Sequence, residues 1–199
     1  MASQGPLSPG TCTNGLRWTN ASNMAVSDNT YSGVSFTADN QIAQGFAQNY
    51  GFSIPTGSTI NGISITVEKR ADSGTTKDSI VSLFRPDGST VSTGNRANTS
   101  TFWTLAKMTT TYGSSSDLWG ETWTAEDIND ADFGVFFRLS CNYQFASPVG
   151  IDFISVTVHY TEGSSAVVKT SNGLALASVK TFNGLALAST KTKNGAATV

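Results

Sequence analysis

The sequence predicts an all-β protein: an antiparallel β-sandwich of jelly-roll or Greek-key type with one short helix, followed by a C-terminal β-repeat tail. Three observations carry this. Alternating runs of Phe, Tyr, Val and Ile are separated by Gly, Pro, Asn and Asp turn signals at intervals of roughly eight to twelve residues. Between them there is no ten-residue stretch of helical periodicity, which an α/β fold needs. The chain then ends on an eleven-residue repeat: Val168-Lys-Thr-Ser-Asn-Gly-Leu-Ala-Leu-Ala-Ser178, Val179-Lys-Thr-Phe-Asn-Gly-Leu-Ala-Leu-Ala-Ser189, and Thr190-Lys-Thr-Lys-Asn-Gly-Ala196.

The 199 residues suit one full-sized domain with an appendage. We divide them into an N-terminal arm (1–16), a sandwich body (17–162), a linker (163–167) and the repeat tail (168–199). Only 13% of residues are charged, and Ser, Thr, Asn and Gly abound, as in β-structure joined by polar turns. The net charge of −2 hides an asymmetry, because the tail holds Lys169, Lys180, Lys191 and Lys193 and no acid. Four lysines are too few to argue for nucleic acid. No apolar run is long enough for a membrane span and the first residues lack a signal-peptide pattern, so the expectation is a soluble protein made in a cytoplasm. Cys12 and Cys141 are expected as two buried thiols, with a single bridge as the alternative.

In chain order, Pro6, Pro9, Gly10 and Gly15 with no periodicity read as an extended arm. Trp18 and Tyr31 bracket a polar stretch and are read as core plugs, with sugar stacking as the rival. Phe52 to Ile60 contains a Pro55/Gly57 turn, after which Ile63, Ile65 and Val67 alternate with Ser64, Thr66 and Glu68 as a half-buried strand. Ile80–Arg85 is a further strand, closed by the Pro86-Asp-Gly88 turn. Phe102, Trp103 and Leu105 mark a short strand, and residues 112–120 a polar loop anchored by Tyr112 and Trp119. Thr124-Ala-Glu-Asp127 is a helix start, Thr124 being the N-cap. Phe133–Leu139 and Ile151–Tyr160 complete the body; in the second, Ile154, Val156, Val158 and Tyr160 share a face.

Several of these stretches together resemble a β-sandwich domain of virion-associated proteins of tailed bacteriophages. They are Trp18-Thr-Asn20 with Asn23, the run Phe52 to Val67, Tyr112-Gly with Asp117 to Asn129, and Phe133-Gly-Val135. The likeness spans roughly residues 5–162, and tails of Lys-Thr-x-Asn-Gly-Leu-Ala type often follow such domains. It implies an assembly role of head-decoration, head-fibre or tail-associated kind, in the virion, and brings no catalytic residues. One departure is Ala21, where Pro is common.

Chemistry finds little support in the sequence. His159 is the lone histidine, read as a rim residue, and there is no nucleophile elbow, phosphate loop or dinucleotide fingerprint. Glu126, Asp127, Asp130 and Asp132 fit an acidic first helical turn; Asp127, Asp130 and Asp132 form a weak Ca²⁺ candidate. Asp72, Asp78 and Asp87 are read as turn residues that bond their own backbone. The sequons at Asn20 and Asn98 are taken as chance matches. The expectation is no enzyme and no cofactor.

Two functions remain. The first is a structural virion protein, oligomerised through its arm and tail and bound to capsid or tail proteins. The second is a carbohydrate-binding adhesin that holds a surface glycan through Trp18, Trp103, Tyr112 or Trp119. In the tail, Asn172-Gly173, Asn183-Gly184 and Asn194-Gly195 are two-residue hairpin turns, and Leu174, Leu176, Leu185 and Leu187 supply the apolar contacts. So thin a meander is not stable alone. We therefore expect it to pair among identical copies, most simply three, either as a meander or as an intertwined solenoid.

Overall fold

The computed structural model describes residues 1–71, 75–89, 93–142 and 149–163, together with the backbone of 167–171 and 174–178. It contains two separate units, Met1–Gly163 and Ser164–Val199. The first is a sandwich of two antiparallel sheets with one short helix.

The strands of the first unit are β1 (Ala2–Leu7), β2 (Thr11–Asn14), β3 (Trp18–Thr19), β4 (Gly33–Val34), β5 (Gln41–Gln48), β6 (Thr59–Ala71), β7 (Thr76–Phe84), β8 (Met108–Gly113), β9 (Gly134–Cys141) and β10 (Val149–Thr161). The six-stranded sheet runs β3-β4-β10-β6-β8, with β1 also on β10; the four-stranded sheet runs β2-β5-β9-β7. From β4 to β10 each successive strand crosses to the other sheet, so that β10 closes between β4 and β6 while β9 closes between β5 and β7. This wrapping is that of a jelly roll.

The expected alternation holds along β6, where Ile63, Ile65 and Val67 are buried and Ser64, Thr66 and Glu68 are half-exposed. In β10, Ile154, Val156 and Val158 face the core, but a bulge between Ile151 and Phe153 lets Ile151 join them. The Pro55/Gly57 turn closes by Ser58 N–H donating to the Pro55 carbonyl at 3.1 Å. The turn at residues 86–88 closes by Gly88 N–H donating to the Arg85 carbonyl at 3.0 Å. Helix α1 (Ala125–Asn129) starts at Thr124 in a capping box, its side chain accepting from Asp127 N–H while the Asp127 carboxylate accepts from Thr124 N–H.

Three expectations change. The first sixteen residues are extended, but they are not a detached arm: β1 pairs with β10, and β2 with β5, as edge strands of the body's own two sheets. Edge positions tolerate the prolines and glycines that suggested a loose arm. Phe102, Trp103 and Leu105 lie outside any strand; the strand is β8, and Tyr112 belongs to it. Strand β5 was not foreseen, because its core face consists of Ala43, Gly45 and Ala47 while Ile42 and Phe46 point away from the core. Small residues are required there: a Cβ on Gly45 would stand 3.1 Å from the Trp18 ring.

In the second unit, β11 (Val167–Ser171) and β12 (Leu174–Ser178) pair antiparallel, Ser171 opposite Leu174 and Lys169 opposite Leu176. Two residues, Asn172 and Gly173, separate the paired ends. The later repeat positions named above, Asn183, Gly184, Leu185, Leu187, Asn194 and Gly195, lie outside the described residues, as do Asn172 and Gly173 themselves.

Candidate functional site

The parity that buries Ile63, Ile65 and Val67 also aims Lys69 into the sandwich, where its side chain is 3% exposed. A lysine there needs a partner, because an uncompensated buried charge is strongly unfavourable. Asp78 supplies it from the facing sheet: Lys69 Nζ donates to Asp78 Oδ1 at 2.8 Å. Trp103 Nε1 donates to the same oxygen at 2.8 Å, while Tyr112 Oη and the Asn98 backbone N–H donate to Oδ2 at 2.7 and 3.1 Å. Lys69 Nζ also contacts Tyr112 Oη. Around the ammonium stand the rings of Trp103, Tyr112 and Phe137, at 4.7, 5.1 and 5.8 Å from Nζ.

Desolvation lowers the Lys69 pKa below the ordinary lysine value, although Asp78 pulls it the other way. The Tyr112 phenol moves far up, first through desolvation and then through the Asp78 charge, so it stays protonated. Both carboxylate oxygens have two or more donors, so Asp78 is held in one geometry across the two sheets. The turn role expected of Asp78 is therefore corrected: it lies in β7 and is 1% exposed. Asp87 does bond within its turn, accepting from Ser89 N–H at 2.9 Å.

All four aromatics considered for glycan contact are interior. Trp18, Trp103, Tyr112 and Trp119 are 3%, 2%, 4% and 0% exposed, so none presents a ring face for a sugar to stack on. Each has a structural task instead. Trp119 Nε1 donates to the Ile63 carbonyl at 2.9 Å, and Gly113, at φ +71°, gives it room, since a Cβ there would stand 2.9 Å from that nitrogen. The weak Ca²⁺ candidate is also corrected. Asp127 is engaged in the capping box, and Asp130 Oδ1 accepts from Asp132 N–H at 2.8 Å. Among the described residues, no group of three or more His, Cys, Asp and Glu could hold a metal ion.

Cys12 and Cys141 are not bridged, and Cys141 is buried while Cys12 is half-buried. Burial pushes the Cys12 thiol up to about 11. His159 lies in β10, half-buried, with Ser3 of β1 and Gly62 of β6 as its cross-strand neighbours.

The outer faces of the two sheets differ. That of the six-stranded sheet carries Ser64, Thr66, Thr109, Thr111 and Thr157. That of the four-stranded sheet carries Phe46 and Phe84, both half-buried, over Phe136, which is 5% exposed; Phe46 is centred 5.7 Å from Phe84 and 5.3 Å from Phe136. Arg138 lies 5.5 Å from the Phe136 ring centre and, with the Gln44 amide oriented to accept, donates to it at 2.8 Å. Alternation marks the interior and hides this cluster, whose signal is Phe-Phe at 136–137, one ring for each face of β9.

A scan against protein-family models finds no match, and neither do searches of curated proteins and of solved structures.

Proposed function

We propose that the protein is a non-enzymatic structural component of a tailed-phage virion, of decoration, fibre or tail-associated type, made in the host bacterial cytoplasm. The observation that carries this is the pairing of β11 with β12 within the first repeat. Two five-residue strands joined through Asn172-Gly173 are too small to be stable in isolation. The same turn sequence returns twice more, so the tail is suited to strand pairing with identical copies, most simply three. The sandwich then acts as a rigid body. A glycan-binding role has lost its proposed contacts to the interior.

The test compares the full chain with a version ending at Gly163 by sedimentation velocity and light scattering. The full chain is expected to be oligomeric and the shortened one monomeric. A monomeric full chain whose tail amides are still protected from hydrogen exchange would overturn the reading, as would specific glycan-array binding by the body.

A further inference from the structure

Lys69 and Asp78 come from strands of opposite sheets, are 2% and 1% exposed, and meet with 2.8 Å between Nζ and Oδ1. We propose that they condense, Lys69 Nζ bonding to Asp78 Cγ, so that the mature protein carries an amide cross-link between its two sheets. The hydrogen bond to Oδ1 holds the nitrogen one bond away from the carbon it attacks, and both side chains are already ordered by their strands. The two groups are thus held together before reaction, which leaves little entropy to lose, and a small rotation of the carboxyl group brings Cγ into line with the amine.

A proton first passes from the Lys69 ammonium to the Asp78 carboxylate, giving a neutral amine and a carboxylic acid. The dry, ring-lined surroundings favour that neutral pair over two desolvated charges, and the lowered Lys69 pKa runs in the same direction. The amine lone pair then attacks Cγ. Negative charge develops on Oδ2, where Tyr112 Oη and the Asn98 N–H already donate in the manner of an oxyanion hole. The second amine proton goes directly to Oδ1, the oxygen to which Nζ already donates, while the Tyr112 hydroxyl stays on Oδ2. The Cγ–Oδ1 bond breaks and Oδ1 leaves as water. In sum, one ammonium and one carboxylate become one amide and one water, with no oxidant, metal or cofactor. Burial then protects the amide from hydrolysis.

Mass spectrometry of the intact, purified full chain tests this. The mass is expected to fall short of the sequence by one water, and trypsin should leave a branched peptide joining residues 18–70 to residues 78–96, uncut at Lys69. Lys69→Met should restore the full mass. Asp78→Asn should lose ammonia in place of water, and Tyr112→Phe should accumulate the cross-link more slowly after refolding. A wild-type chain of full mass overturns the proposal. So does an unbranched chain whose water loss maps to dehydration at Asp87-Gly88. The wild-type readout does not depend on whether any variant folds.

Discussion

The interior has two unlike halves, and β9 touches both. Around Phe133, just before the strand, the neighbours are uncharged rings: Trp123, Tyr50 and Phe52 have ring centres 5.5, 6.4 and 6.1 Å from it. Around Phe137, four residues on, the neighbours are Trp103 and Tyr112, and the centre they enclose is the polar Lys69–Asp78 contact. The apolar half is held by contacts that tolerate repacking, since burying one ring or another of similar volume changes little. The polar half tolerates no partial loss, because the four donors there share one acceptor residue, Asp78. Non-directional burial and a single polar hub are different ways to hold two sheets together, and they fail differently.

Substitution separates the halves. Asp78→Ala leaves Lys69, Trp103 Nε1, Tyr112 Oη and the Asn98 N–H without their acceptor, and should lose about 3–5 kcal/mol in chemical denaturation, enough to threaten folding. Phe133→Ala should lose a comparable ~3–5 kcal/mol, but there Leu should recover much of it. Asp78→Leu, in contrast, should recover little unless Lys69→Met accompanies it. If single hydrophobic replacements rescue both sites equally, the distinction between the halves falls.

Acid provides a second, smaller contrast. Arg96 donates to both oxygens of Asp117, at 2.7 and 2.8 Å, and holds its carboxyl below the ordinary aspartate value; Lys107 does the same for Glu68. Depressed carboxylates contribute stability that is present above their unfolded pKa values and is lost as pH falls through the folded ones. Thermal midpoints should therefore drop as pH falls below the ordinary carboxylate range, and Asp117→Asn should flatten part of that drop while leaving neutral-pH packing around Phe133 unchanged. A profile identical to wild type would show that this pair does not stabilise the fold.

The smallest effect belongs to the cap of α1, whose Ala125 and Ile128 are buried in the core. Thr124→Ala should cost about 1 kcal/mol by urea titration, and Thr124→Ser almost nothing. Equal losses for the two would mean that the Thr124 methyl group, and not the capping hydroxyl, supports the helix.

Most of the framework was legible in the sequence. Alternation placed β6, β7, β9 and β10, Gly and Pro marked the turns, and Thr124 and Asp127 named the single helix, because these are local effects of period, φ and hydrogen-bond chemistry. β5 was illegible because its inward face is Ala and Gly, a choice dictated by Trp18 lying across it. β1 and β2 were hidden because pairing at a sheet edge leaves no periodicity of its own. The candidate site was half-written: parity alone turns Lys69 inward, yet a charged residue breaks the apolar pattern and draws the eye to a surface reading.

By itself, then, the sequence determined that the chain is a β-sandwich followed by a repeated tail whose first repeat pairs as β11 and β12, since strand period and turn chemistry act within a few residues. Only the tertiary structure decided which distant strands became neighbours, that the aromatics considered for sugar are core, and that Lys69 has Asp78 to meet. Those facts depend on one sheet lying over the other, and the interactions that arise there link residues whose common location no local pattern encodes.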